Sequence, residues 1–413
     1  MKVGFVTHWY DPEGGAAAGP GTIARTIRDR GQEVEVLTGF PIYPTGRVAE
    51  GYRIRPYQRE VLDGITVHRA AVYPSHDRRA VRRMANYLSF AGSGALIAPV
   101  ALRGCDVLFV YSTPATAAIP ALPLRAFGRT PLVVQIQDLW PQTVTASGFV
   151  SGGRAGRLER AIHRYCDSVY RSADVIAVTS PGMADLISAR GIAREKIQLV
   201  PNWAEERSFY PADRDPQMAS RLGLDDKFTV MYAGNLGEMQ NLDTVLDAAL
   251  LLRDLDDCQI VLVGGGVARG HLARRISAEG ISNVTLVDPV PFALISKVLA
   301  LADVQLISLK DVPLFRATLP SKLQANLAAG QPVIGAVAGD AADVIRASKA
   351  GVVTSPGDPS ELARAIRSFH RRSRAERETM GREGRRFYEA NFSERAIGDR
   401  LSGILAAAAG GIR

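Results

Sequence analysis

Three groups of residues in this sequence sit where their side chains or backbones can act on a ligand. The first centres on a lysine. In SLKDVPLFRATLPSKLQANLAAGQPVIG, Pro320 suits the first turn of a helix running to about Ala329, and Gly330 suits its C-cap. Lys322 then falls in that first turn, where its charge adds to the helix N-terminus in holding a diphosphate, with Ser321 as a hydroxyl donor. Arg316 and Lys310 are further cations in the same segment. A solvated surface lysine is the ordinary alternative. The second group is a pair of glycine turns. Gly234 and Gly237 follow the apolar run FTVMYA, and Gly264, Gly265 and Gly266 follow QIVLV. Without Cβ atoms these turns admit a ligand close to the backbone, and two of them at adjacent strand ends favour phosphate over simple turn chemistry.

The third group lies in the first half. Asp138 follows the run PLVVQIQ, and a carboxylate at the carboxyl end of a central strand can accept a proton from an attacking hydroxyl or orient an acceptor. Capping the next helix is its plainer role. Trp140, two residues on, either lines an acceptor site or packs beneath the loop. The long turn HWYDPEGGAAAGPGT places Gly14, Gly15, Gly19 and Gly21 before a helix starting near Thr22, and loops of this length in compact domains usually carry function or disorder. His8 ends the first apolar run and is a further candidate.

These residues need elements to hold them, and the pattern supplies α/β ones. Short β-branched runs alternate with helical stretches: KVGFVTH, EVEVLTG, ITVHRA, VLFVYS, PLVVQIQD, VIAVTS and IQLVPN span residues 2 to 202. The alternation restarts with FTVMYAGN, QIVLVGGG, VTLVDPV, VQLISL, PVIGAV and GVVTSP. Buried parallel strands read this way, and βαβ units built from them close into doubly wound sheets. PNWAEERSFYP separates the two patterns as a polar, proline-bounded linker. The expected layout is two Rossmann-like domains facing across a cleft, residues 1–204 and 205–390, and a terminal helix over 391–413 that can cross back to the first domain.

The composition is that of a globular chain, 413 residues with 46% hydrophobic and 22% charged. Cys105, Cys166 and Cys258 lie far apart, with no metal-ligand or disulfide spacing. The opening MKVGFVTHWYD reads as a strand rather than a leader, which points to the cytoplasm. Residues 1–200 hold 24 Lys and Arg against 16 Asp and Glu, while the remainder holds 26 against 26, so the whole net charge of +8 belongs to the first half. Such one-sidedness favours an anionic partner. The stretch from Arg78 to Arg103 combines Arg78, Arg79, Arg82 and Arg83 with an apolar run from Met84, as in a helix lying on an anionic membrane surface or in a buried helix. Nucleic acid is disfavoured, since no recognised module or stacking platform accompanies the charge.

Taken in order, HWYDPEGGAAAGPGTIARTIRDRGQEVEVLTGFPIYPTG, QDLWPQ, PNW, YAGNLGEMQNLDTVLDAA, LVGGG and LPSKLQANLAAGQPVIG resemble retaining glycosyltransferases of family 4, in particular the WbuB-like polysaccharide and O-antigen enzymes. The resemblance implies the α/β architecture called GT-B and transfer of a sugar from a nucleotide-sugar to a hydroxyl acceptor. A UDP-sugar is the expected donor, with an N-acetylated hexosamine as the sugar. It also implies that residues 1–204 bind the acceptor and 205–390 the nucleotide-sugar, with no cofactor and no required metal, and an acceptor that is lipid-linked or soluble. The arginines from Arg78 and the apolar run beside them give the expectation of peripheral attachment at the inner face of the cell membrane.

Carried onto this sequence, the donor set is Gly234, Asn235, Leu236, Gly237, Gly264, Gly265, Gly266, Val290, Pro291, Thr318, Leu319, Pro320, Ser321, Lys322 and Leu323. Lys322, Asp138 and Arg316 take the catalytic roles, and Gly14, Gly15, Ala16 and Trp140 contact the acceptor. The sequence departs from the family in three respects: two glutamates that commonly hold the donor correspond to Ala317 and Ala325, the arginine and lysine often found in the glycine turn correspond to Asn235 and Gln240, and the frequent histidine before the aspartate corresponds to Gln137. The competing functions are transfer to a soluble natural product, nucleotide-sugar 2-epimerisation, and inactive nucleotide-sugar binding.

Overall fold

The computed structural model describes residues 1–14, 17–76, 79–140 and 155–411. Gly15, Ala16 and Arg78 therefore lie outside the described residues. Internal packing divides the chain into two units, residues 1–200 with 398–413, and residues 201–397.

The first unit is built on the strands β1 (Lys2–Val6), β2 (Glu33–Gly39), β3 (Tyr57–Leu62), β4 (Ile65–Ala70), β5 (Val107–Ser112), β6 (Leu132–Ile136), β7 (Val175–Val178) and β8 (Ile197–Leu199), in the order β3-β4-β2-β1-β5-β6-β7-β8. Its helices include α1 (Gly19–Arg28), α2 (Ala80–Ala101), α3 (Leu122–Gly128), α4 (Ala155–Ser172) and α5 (Pro181–Ser188). Every strand pair is parallel except β3 with β4. The central strands are almost wholly apolar because helices cover both faces. β3 is the strand that periodicity leaves out: YQREVL is polar and only half covered, as an edge strand is. Its sign is the Asp63-Gly64 pair, both at positive φ, which closes a two-residue hairpin into β4. α1 begins at Gly19 rather than near Thr22, with Pro20 in its first turn.

The second unit holds β9 (Phe228–Ala233), β10 (Cys258–Val263), β11 (Val284–Val287), β12 (Val304–Ser308), β13 (Val333–Ala336) and β14 (Gly351–Thr354), all parallel, in the order β11-β10-β9-β12-β13-β14. Its helices are α6 (Pro216–Arg221), α7 (Leu242–Leu250), α8 (Arg269–Ala278), α9 (Ile295–Leu299), α10 (Pro313–Arg316), α11 (Ser321–Ala328), α12 (Asp340–Ser348), α13 (Pro359–Arg371), α14 (Arg374–Asn391) and α15 (Glu394–Gly410). Several start where the sequence provides a cap: the Asp358 side chain accepts from the Glu361 amide, and Ser373 and Glu376 form a reciprocal box at α14. Val230, Ile260 and Leu262 pack on one face of the sheet with Val245 and Leu246 of α7, while Met231, Val261 and Val263 pack on the other with Leu299 and Leu301. The end of α15 belongs to the first unit, where Asp399 accepts from Arg30 Nε at 2.8 Å and Arg400 donates to the Leu199 carbonyl at 3.2 Å.

Both sheets reverse their strand order once, at β1/β5 and at β9/β12. Ligands of doubly wound sheets bind outside the carboxyl ends of the strands at such reversals.

Candidate functional site

At the β9/β12 reversal the two glycine turns interlock. The Leu236 amide donates to the Gly265 carbonyl at 2.7 Å, and the Ala268 amide to the Leu236 carbonyl at 2.9 Å. Gly234, Gly264 and Gly266 all stand at positive φ, at 143°, 140° and 147°. A Cβ on Gly264 would strike the Gly234 carbonyl oxygen, and one on Gly266 would meet Asn235 Oδ1 and the Leu236 carbonyl. A Cβ on Gly234 would strike Lys322 Cε. The glycine therefore leaves room for a lysine stem arriving from α11.

Lys322 lies in the first turn of α11, with Pro320 one step earlier at the N-cap rather than inside the turn. Its ammonium sits 5.0 Å from the centre of the Tyr232 ring, and the Tyr232 hydroxyl donates to the Asn235 carbonyl at 2.7 Å. Among the described residues Lys322 has no ion pair and no hydrogen bond. Burial alone pushes its pKa from 10.5 down to about 8. A half-buried cation offered only a π-face, beside two glycine turns and at a helix N-terminus, can attract an anion electrostatically.

The other donor-set residues fall into three groups. Asn235 and Gly266 are exposed at the turns, and Pro289 lies against Gly265, bringing the loop of Val290 and Pro291 to the same edge. Leu236 and Leu323 are fully buried, so they hold the turns rather than offer surface. Thr318 spends its hydroxyl on the Leu314 carbonyl at 2.7 Å, Leu319 packs against the core beneath α11, and Ser321 is exposed. Arg316 points to Asp311, to which it donates twice at 2.7 Å, with its side chain 59% exposed. The Lys310 amide donates to the Met239 carbonyl at 2.9 Å, tying the segment after β12 to the turn after β9. Ala317 and Ala325 are both buried, Ala325 within the core cluster under α11. Sequence reasoning did not single out Tyr232, the ring beneath Lys322; its one sign is an aromatic polar residue next to the end of an apolar strand.

In the first unit, Asp138 stands two residues past β6. Burial raises its carboxyl above the ordinary range, opposed by a hydrogen bond from Thr113 Oγ1 at 3.5 Å. Thr113, just past β5, is another residue that the sequence did not mark. Trp140 is 8% exposed, with its ring centre 6.1 Å from that of Tyr87 and its carbonyl accepting from Arg190 at 3.0 Å. Trp140 is thus packed against Tyr87 within the first unit. Half-buried Trp9, Tyr43 and Tyr87 form the aromatic surface nearby instead. His8 is buried edge-on to Trp9, Tyr87 and Phe90, and burial lowers its pKa to about 4. Asn86 donates through Nδ2 to the Tyr73 carbonyl, so its Oδ1 accepts from His8 Nε2 at 2.9 Å. That leaves His8 neutral and packed in the first unit. Gly14 is exposed, with open space where a side chain would stand.

Known proteins share this fold. Residues 14–203 match the glycosyl transferase 4-like domain, and residues 227–372 match the glycosyl transferases group 1 domain. The chain is 28% identical over 326 residues to the putative colanic acid biosynthesis glycosyl transferase WcaI of Escherichia coli strain K12, covering 78% of this chain and 79% of that protein. It is 26% identical over 300 residues to the alpha-D-kanosaminyltransferase of Streptomyces kanamyceticus, covering 70% and 74%. Among solved structures, sucrose-phosphate synthase from Thermosynechococcus elongatus superposes with a TM-score of 0.71 at 18% identity, covering 98% of both chains. Anabaena HepE in complex with UDP and glucose superposes at 0.68 and 18% identity, covering 98% of this chain and all of that one.

Proposed function

This chain is a glycosyltransferase, a 4-like domain followed by a group 1 domain on the GT-B fold, and on that premise we propose that it transfers a sugar from a UDP-sugar to a hydroxyl acceptor with retention of anomeric configuration. The observation that carries the donor half is Lys322: a half-buried ammonium without a counter-ion among the described residues, set against Gly234 at the first turn of α11. In the reaction the acceptor oxygen bonds to the anomeric carbon, and the bond from that carbon to the diphosphate oxygen breaks with its electron pair. The acceptor's proton leaves with the departing diphosphate. Lys322 and the amides of the glycine turns receive the developing charge, which is stabilisation of the kind that commonly dominates such rate enhancements.

Arg316 is the second cation of the segment, released from Asp311 to the donor when it binds. No metal takes part in this reading, because the lysine supplies the countercharge. Asp138 orients the acceptor hydroxyl in the first unit, where Gly14, Trp9 and Tyr87 supply the surface around it. The sugar is an N-acetylated hexosamine, and the acceptor a lipid-linked glycan intermediate of polysaccharide assembly. Complexes of HepE with UDP and with UDP-glucose support a UDP-linked donor, the assignment of WcaI to colanic acid biosynthesis supports the product class, and the N-acetylated sugar rests on the sequence resemblance. The test is a thermal-shift panel of nucleotide-sugars, then mass analysis of products with lipid-pyrophosphate and soluble acceptors. Stabilisation by UDP-sugars with transfer to lipid is expected, and transfer only to a soluble acceptor would replace the lipid part of the reading.

A further inference from the structure

We propose that the outer face of α2 is a membrane-docking surface that seats the first unit on an anionic bilayer. The helix has 22 residues, about 33 Å of length, and two unlike faces. Asn86, Phe90, Ala91, Ala98 and Ala101 are buried, where α2 packs on the 3-10 turn Ala115–Ala121 and on β2 and β4. Opposite them, Val81, Ala85, Leu88, Gly92, Leu96 and Val100 recur every three or four residues, and all are exposed. Val81 is 82%, Leu88 52%, Leu96 83% and Val100 81% exposed, and α3, which packs beside α2, leaves Phe127 at 92%. Single exposed apolar residues are ordinary, whereas a stripe of them along a whole helix marks a surface that something covers.

Charge selects what covers it. Between residues 79 and 131 there are six arginines and one acid, Asp106. Arg79 and Arg82 are exposed at the start of α2, Arg103 beyond its end, and Arg129 beside Phe127. A second copy of this chain would set these like charges against one another, while an anionic bilayer offers lipid tails to the stripe and headgroups to the arginines. No described helix is long and apolar enough to cross a membrane, so α2 lies in the interface. The docking rests on the lipid-linked acceptor reading for its purpose, but not for its geometry.

The experiment uses the full chain with phosphatidylglycerol-containing vesicles and with pure phosphatidylcholine vesicles. Co-sedimentation is expected on the anionic vesicles alone, and it should fall as added salt shortens the Debye length below about 8 Å. Replacing Val81, Leu88, Leu96 and Val100 together by serine should lower the apparent partition coefficient at least roughly tenfold. Substituting Arg79, Arg82 and Arg103 by glutamine should remove the anionic preference. Thermal stabilisation by UDP should persist in both variants, which separates lost docking from lost folding. Equal binding to both vesicle types, or no binding at low salt, overturns the proposal. So does a wild-type dimer in sedimentation that the serine variant dissolves while vesicles are ignored. Loss of transfer to lipid acceptors with vesicle binding intact would instead count against the acceptor reading.

Discussion

Replacing Lys322 by methionine should make the unliganded protein more stable and the enzyme far slower. Methionine keeps an unbranched stem over Gly234 and removes the charge. Burial moves the lysine pKa from 10.5 to about 8, and at about 1.4 kcal/mol per pH decade this makes the charged form cost about 3 kcal/mol more in the folded chain than in water. Solvent reaching the half-buried head group reduces that to about 1–3 kcal/mol.

Below about pH 8 both folded and unfolded wild type carry the proton, so the folded state bears the whole cost. Between about 8 and 10.5 the unfolded chain holds a proton that the folded chain has lost, and wild-type stability rises with pH. The advantage of Lys322→Met should therefore be largest at neutral pH and shrink through that window, as followed by urea denaturation at several pH values. The same variant should lose at least roughly a hundredfold in kcat and most of the thermal stabilisation by UDP. A variant that is less stable at neutral pH, or that turns over almost normally, refutes the argument that Lys322 waits for an anion.

Wild-type kcat/KM should fall as pH rises through about 8, because the free enzyme's lysine then loses its charge, and Lys322→Met should show no such limb. Gly234→Ala places a Cβ against Lys322 at a backbone angle that side chains rarely adopt, so it should cost about 1–3 kcal/mol of stability and weaken UDP binding measured by calorimetry. Asp138→Asn should lower transfer at least roughly tenfold while leaving slow donor hydrolysis intact. The wild-type acid limb should lie above the ordinary carboxylate range, since burial raises the Asp138 pKa. Rates measured with excess chelator should match those without it, and an absolute requirement for a divalent cation would displace Lys322 from its role.

The fold was legible where periodicity is strong. Apolar runs such as VLFVYS and QIVLV became central parallel strands, because a strand covered on both faces has little use for polar residues. β3 was missed because an edge strand need not be apolar, although Asp63-Gly64 marked its turn. The candidate site was legible at its glycines and at Lys322, whose meaning comes from strand ends and a helix start. Thr113 and Tyr232 were not, since each matters only through a neighbour distant in sequence, Asp138 or Lys322.

By itself the sequence determined the alternation of elements, the glycine turns, the position of Lys322 near a helix start and the confinement of net charge to residues 1–200, all properties of local pattern or simple counting. Tertiary structure alone decided which of these groups are exposed and which are already satisfied. Arg316 and Lys322 look alike as cations six residues apart, yet one is paired with Asp311 in solvent and the other is held over Tyr232 without a counter-ion among the described residues. Likewise α2 reads in one dimension as either a buried helix or a surface one, and packing makes it both, covering Phe90 and baring Leu96. Desolvation and pairing depend on what the rest of the chain brings within a few ångströms, and spacing along the sequence does not record that distance.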